Sequence, residues 1–183
     1  MIGLILAYHR IASHAPDTHG LCVSPDHFTA HLRYVADECR PVALDELRRG
    51  RGGRGGGPRT LVAVTIDDGY VDALSAASPR LVEAQVPATF FVCGDHPADA
   101  AGEFWWDVLE RVLRVPDPGL PTTLTCPAAG VEGLPVATEE ERRRAHETLR
   151  SAMFSAGWSP QTKKVAGTCA STSRGDAADS AST

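Results

Sequence analysis

Long apolar runs are missing from this chain of 183 residues. The stretch Ile2-Gly3-Leu4-Ile5-Leu6-Ala7 is far shorter than the roughly 20 apolar residues a helical membrane span requires. No basic segment precedes it and no small-residue cleavage site follows, so neither a membrane span nor an export signal is read, and a cytoplasmic protein is expected. An excess of positive charge is missing too. Lys and Arg number 18 against 23 Asp and Glu, a net charge of −5, which supplies no electrostatic reason for a nucleic-acid partner. Cysteine is present without a pattern: Cys22, Cys39, Cys93, Cys126 and Cys169 stand at irregular spacings with no Cys-x-x-Cys pair. That excludes a disulfide framework and a cysteine-zinc cluster, and reduced thiols are expected. No internal repeat is visible. A hydrophobic fraction of 43% suffices for a core, and one domain is the default at this length.

The apolar residues that are there fall into alternating strand-like and helix-like segments, the pattern of an α/β fold. Residues 3–9 read as a first buried strand. Ser24-Pro25-Asp26 then opens a helix with an N-cap and a proline in its first turn, and Phe28, Leu32 and Val35 share one helical face. Residues 41–44 form a short strand candidate and residues 45–49 a helical turn. Residues 50–58, rich in Gly and Arg, read as a surface loop, because so much glycine does not sit inside a regular element. Residues 72–85 read as a helix carrying Leu74, Leu81 and Val82, and residues 87–94 as the next buried strand. Residues 103–115 have the strongest helical period, with Phe104, Val108, Leu109, Val112 and Leu113 in a stripe beside Trp105 and Trp106. Packing is the plain role for these tryptophans, and stacking on a sugar the sharper one. Residues 116–135 show no clear period. Thr138-Glu139-Glu140-Glu141 has the form of a capping box that starts a charged helix through about residue 154. From residue 159, Gln161-Thr162-Lys163-Lys164 leads into a tail made mostly of Ala, Ser, Thr, Gly and Asp with one valine and no aromatic residue, and residues 159–183 are expected to be disordered.

The most telling segment is Val62-Ala63-Val64-Thr65-Ile66-Asp67-Asp68-Gly69-Tyr70, an apolar run that stops at two carboxylates and a glycine. A Val- and Ile-rich strand belongs inside a parallel sheet, and such sheets present their chemistry at the carboxyl ends of the strands. Successive side chains point to opposite faces, so two adjacent aspartates there can hold different jobs, one facing a metal and one a water. Gly69 permits a sharp turn directly after them.

Taken in order, Leu6-Ala7-Tyr8-His9-Arg10-Ile11, Val23-Ser24-Pro25-Asp26-His27-Phe28 with His31-Leu32, Thr65-Ile66-Asp67-Asp68-Gly69-Tyr70 and Val86-Pro87-Ala88-Thr89-Phe90-Phe91-Val92 resemble the polysaccharide deacetylase family, also known as the NodB-homology or carbohydrate esterase family 4 group. The resemblance covers about residues 1–115, departing from the aspartate motif by Ile66 in place of an aromatic residue. It implies the N-terminal part of a distorted (β/α) barrel over residues 1–158, with a helical insertion near residues 103–155. It also implies removal of N-acetyl groups from a sugar or polysaccharide partner with a divalent metal, commonly zinc. By the same resemblance Asp67 is the general base and Asp68 a metal ligand. His9, at the end of the first strand, is expected to line the pocket, with simple packing as its alternative.

The chain also departs from that family. The His-Ser/Thr-x-x-His pattern that completes the metal site does not occur, nor do the later arginine-proline motif, a second aspartate motif or a final Leu-x-His. His96 stands in a polar loop, and His146 beside Arg142, Arg143 and Arg144 on what reads as an exposed helix, so neither replaces the missing histidines. Catalytic zinc normally has three protein ligands. A truncated and inactive chain is therefore expected, binding metal weakly or not at all. The alternatives are a pseudoenzyme acting as a saccharide-binding or interaction module, and a receiver-type phosphoacceptor domain. The latter lacks an aspartate directly after the strand that ends in Phe90-Phe91-Val92.

Overall fold

The structure, a computed structural model, describes residues 3–49, 60–94, 103–115 and 119–155. The chain divides into two compact units, Met1–His96 and Pro97–Thr183. The Gly/Arg loop, His96 and the tail expected from residue 159 lie outside the described residues. Among those described, no helix is long and apolar enough to cross a membrane.

The first unit is built around β5, Leu61–Ile66, which is buried at every residue. A strand of Leu, Val, Ala and Ile can be covered on both faces because it exposes nothing that needs water. Both its edges are paired as well. β1, Gly3–Tyr8, runs parallel along its whole length, with Gly3 opposite Leu61 and Tyr8 opposite Ile66. The other edge is shared: β4, Arg40–Pro41, takes Leu61 and Val62, and β6, Ala88–Phe90, takes Val64, Thr65 and Ile66, both in parallel. The result is the parallel α/β sheet expected, four-stranded and open among the described residues. A second, two-stranded parallel pair joins β2, Arg10–Ile11, to β3, Cys22–Val23.

Helix α1, Pro25–Glu38, begins as its residues require. The Ser24 hydroxyl accepts the His27 N–H at 3.3 Å, and Pro25 occupies the first turn, where a missing N–H costs nothing. Phe28, Leu32 and Val35 are buried in one core with Tyr8, Val62, Val64 and Ile66. After a short α2, Leu44–Arg48, and β5, the chain re-enters helix through a π-helical turn, Ala73–Ala77, that runs into α3, Ser78–Glu83.

Several expectations are corrected here. β1 is an edge strand, not a buried one: it is paired on one side only among the described residues, and Leu4 and Ile5 are 49% and 56% exposed. β6 is likewise three residues long, and Phe90, Phe91 and Val92 are exposed because that strand also has β5 as its one described neighbour. In the helix that follows the aspartates, Ala73, Ala77 and Leu81 face the core at spacings of four, while Leu74 and Val82 are exposed.

The second unit has a core of its own. Helix α4, Trp105–Arg114, presents Trp105, Val108, Leu109 and Leu113 to Leu124, Cys126, Val136, Ala145, Leu149 and Met153. Residues 116–135, in which no period was expected, hold an antiparallel hairpin of β7, Thr123–Cys126, and β8, Val131–Pro135. Its register shifts between Leu124 and Cys126, and Gly130 and Gly133 have positive φ, so the strict alternation that betrays a strand is broken in the sequence. Helix α5, Glu139–Ser155, closes the unit. The capping box is made as expected: Glu141 N–H donates to the Thr138 hydroxyl at 3.2 Å, and Thr138 N–H to the Glu141 carboxylate at 2.9 Å. His146 is not on an exposed face. It is buried with Ala145, Leu149 and Met153 on the side of α5 that packs inward, while the three arginines before it carry the solvent side.

Candidate active site

The carboxyl end of β5 is where the apolar run meets its first charges. Tyr8 and Ile66 are the last paired residues of β1 and β5, and the Asp67 N–H donates to the Tyr8 carbonyl at 2.8 Å. His9 and Asp67 therefore leave neighbouring strand ends at the same level of the sheet. Tyr8 itself turns into the core, edge-on to Phe28 with ring centroids 5.0 Å apart.

Immediately after Asp67 the backbone reverses. Asp68 and Gly69 have φ of 69° and 84°, and the Gly69 N–H donates to the Asp67 carbonyl at 2.9 Å. Aspartate is one of the few side chains that tolerate this left-handed region, and glycine the one that favours it. Gly69 is needed on a second count, since a Cβ there would stand 3.0 Å from Val92 Cγ1. The end of β6 seals the turn, through Phe91 N–H to the Ile66 carbonyl at 2.9 Å.

The two carboxylates are not equivalent. Asp67 Oδ1 is buried and has no hydrogen-bond partner among the described residues. A buried carboxylate oxygen without a donor is costly, and in a native fold it calls for a ligand, a proton or a water to complete it. The Asp68 carboxyl is held above its ordinary value, first by partial burial; the charge of His9 pulls it back down and that of Asp67 pushes it further up. His9 and Asp67 each act on the charge of Asp68. All three residues singled out in the sequence thus come together at one sheet edge.

Three further residues at this edge were not singled out. Asp72 is buried, and its carboxylate accepts the Ile11 N–H at 2.8 Å and the Arg10 Nε–H at 3.2 Å. The Arg10 guanidinium carbon lies 4.6 Å from the centroid of the Tyr70 ring. In the sequence Asp72 reads only as the start of a helix; partners some sixty positions away leave no local signal.

Among the described residues no group of three His, Cys, Asp or Glu side chains could hold an ion. Cys22, Cys39, Cys93 and Cys126 are free thiols.

Residues 54–116 match the family model for polysaccharide deacetylase. No curated protein matches this chain. Among solved structures, the chain is similar to IcaB from Ammonifex degensii, at 21% identity and a TM-score of 0.45 over 91% of this chain and 79% of that one. It is similar to the Streptococcus pyogenes deacetylase PplD in complex with acetate, at 22% identity and a TM-score of 0.45 over 90% and 79%. A third likeness is to a de-N-acetylase from Aggregatibacter actinomycetemcomitans, at 18% identity and a TM-score of 0.42 over 79% and 50%. With TM-scores this low, the likenesses decide nothing about the site. The strand, the turn and the helix that carry Asp67, Asp68 and Asp72 lie inside the matched residues, and it is over residues 54–116 that this chain is similar to the polysaccharide deacetylase family.

Proposed function

We propose that the edge formed by Asp67, Asp68 and His9 serves hydrolysis of the carbon–nitrogen bond of N-acetyl groups on a sugar or polysaccharide. The observation that carries this reading is the buried, partnerless Oδ1 of Asp67 at the carboxyl end of a parallel strand. Such an oxygen is a proton acceptor in waiting. Asp67 takes a proton from a water as the water oxygen attacks the acetamide carbonyl carbon; Asp67 then gives that proton to the nitrogen as the C–N bond breaks, and the proton left on the new carboxyl follows, giving acetate and a protonated amine. Asp68, one residue on and facing differently, is the ligand for a cation, and His9 borders the bound acetyl group.

A divalent metal such as zinc supplies Lewis acidity in this chemistry. The residues described here do not fit a complete catalytic site for it, since three protein ligands are normal and Asp68 is one. The 183-residue chain is therefore expected to bind zinc weakly and to release acetate slowly. A second reading, a non-catalytic saccharide-binding module, is favoured by the same missing group of three.

Acetate release and saccharide binding, measured together on the purified chain with zinc and an acetylated chitooligosaccharide, separate the two. Release well below about 1 per second that disappears in Asp67→Asn, with binding retained, supports the hydrolase. Binding without release, unchanged by Asp67→Asn, supports the module. Neither binding nor release sinks both, and release that survives in Asp67→Asn removes Asp67 as the base.

A further inference from the structure

We infer that Asp72 is a positioning residue for the turn at Asp67 and Asp68 and for His9, a bracket across the carboxyl ends of β1 and β5; the inference rests on the reading of that turn as the reactive site. The two strands stop pairing at Tyr8 and Ile66, and the last tie between them is the Asp67 N–H to the Tyr8 carbonyl, 2.8 Å. Beyond it residues 9–11 and residues 68–72 are no longer paired with each other as strands. Nothing in regular sheet geometry keeps them together from there on.

Asp72 closes that gap. One carboxylate oxygen takes the Ile11 N–H at 2.8 Å and the other takes the Arg10 Nε–H at 3.2 Å. Residues 8–11 and 67–72 are thereby joined at both ends into a ring, with His9 on one arm and Asp67 and Asp68 on the other. Arg10 extends the bracket, since the same guanidinium that meets Asp72 lies over the Tyr70 ring, and Tyr70 accepts the Ala73 N–H at 2.9 Å. The pairing is well shielded, with the Arg10 and Asp72 side chains 21% and 11% exposed. Charged groups held in that way gain geometric definition, and loss of one partner leaves the other uncompensated.

Asp72 stands in the first turn of the helix that begins at Val71, with helical backbone angles, and its side chain makes no capping hydrogen bond. The carboxylate is instead directed at residues 10 and 11, next to His9.

Amide hydrogen exchange on the full chain tests this without requiring any ligand. In Asp72→Ala the Asp67 amide, which is not bonded to Asp72, should exchange about tenfold faster or more, while the Cys39 amide, bonded to the Val35 carbonyl at the end of α1, should not change. Asp72→Asn keeps an oxygen for the Ile11 N–H and should restore most of the protection. Equal acceleration at Asp67 and Cys39 would mean a general loosening and overturn the proposal, as would no acceleration at Asp67. Should Asp72→Ala not fold, Asp72→Asn removes the charge pair alone and Arg10→Met removes it together with the contact to the Tyr70 ring, and the same local loss at Asp67, smaller in size, is expected from each. A second arm titrates acetylated chitooligosaccharide into the variants. If the wild type neither binds nor releases acetate while the Asp67 amide responds as stated, the bracket stands and the reading of the site as a deacetylase falls; if the wild type binds and releases acetate and the amide does not respond, the reverse holds.

Discussion

Asp68 combines an unfavourable charge environment with an unusual backbone, and the two can be separated by pH. Its folded-state carboxyl is raised, chiefly by burial, so the protonated form is the one the fold prefers. The stability associated with that preference is complete below the unfolded-state value near 3.9 and is lost as pH rises through the higher folded-state value. Asp68→Asn removes the charge while keeping a side chain suited to φ of 69°. The variant should melt higher than the wild type at pH 7, and the difference should shrink as pH falls below the ordinary carboxylate range. A difference independent of pH would mean that backbone preference alone is responsible. Gly69→Ala should act in the opposite direction: φ of 84° and the 3.0 Å approach to Val92 leave no relaxed place for a methyl group. A loss of about 1–2 kcal/mol in denaturant unfolding is expected.

Among the elements, α5 is the most self-sufficient. Its capping box is complete, and Thr138→Ala should cost about 1 kcal/mol, read as a lower urea midpoint with an unchanged slope. On its exposed face Glu140 meets Arg143 at 2.9 Å and Arg144 at 2.8 Å, and those two arginines lower its carboxyl to about 2. The support from that pair is present above the ordinary value of 4.5 and fades as pH falls through about 2, and salt should weaken it at any pH because the groups are in water. The helix after the aspartates is the contrary case. Its π-helical turn, Ala73–Ala77, puts small residues against the core and leaves Leu74 outside, an arrangement that a uniform 3.6-residue period does not anticipate.

At the scale of the whole chain, β5 supports both the core and the site. Ile66 is 1% exposed and immediately precedes Asp67. Ile66→Ala should cost about 2–5 kcal/mol, and because the cavity lies directly beneath the turn it should also loosen the Asp67 amide more than a comparable cavity at Leu32. The edges of the sheet carry a different consequence. Exposed Ile5 on β1 and Phe91 beyond β6 present apolar surface at strands with one described neighbour each, the form that favours non-specific association. Ile5→Lys should raise the solubility limit of the chain, measured by light scattering against concentration, without changing the melting temperature by more than about 2 °C.

Local chemistry determined a good deal of this in advance. Ser24-Pro25 announces a helix start because capping is a matter of adjacent residues. Thr138 with Glu141 announces another for the same reason. The run that ends in Asp67, Asp68 and Gly69 declares a buried strand and a turn because burial and φ preference belong to the residues themselves. His9 is placed beside the aspartates by the alternation of strands and helices, which puts the ends of the first strand and of the aspartate strand at one sheet edge. What the sequence could not disclose depends on partners far along the chain. Whether a strand is central or at an edge depends on how many neighbours it finds, so β1 and β6, apolar enough in sequence to be buried, stand at edges among the described residues. The hairpin of β7 and β8 is hidden by a register shift that breaks its alternation. The inward face of α5 at His146 is set by the core it packs on, and its three preceding arginines pointed the other way. The carboxylate of Asp72 meets Ile11 and Arg10 because two strand ends leave the sheet side by side, and a contact across that gap exists only once the sheet has formed.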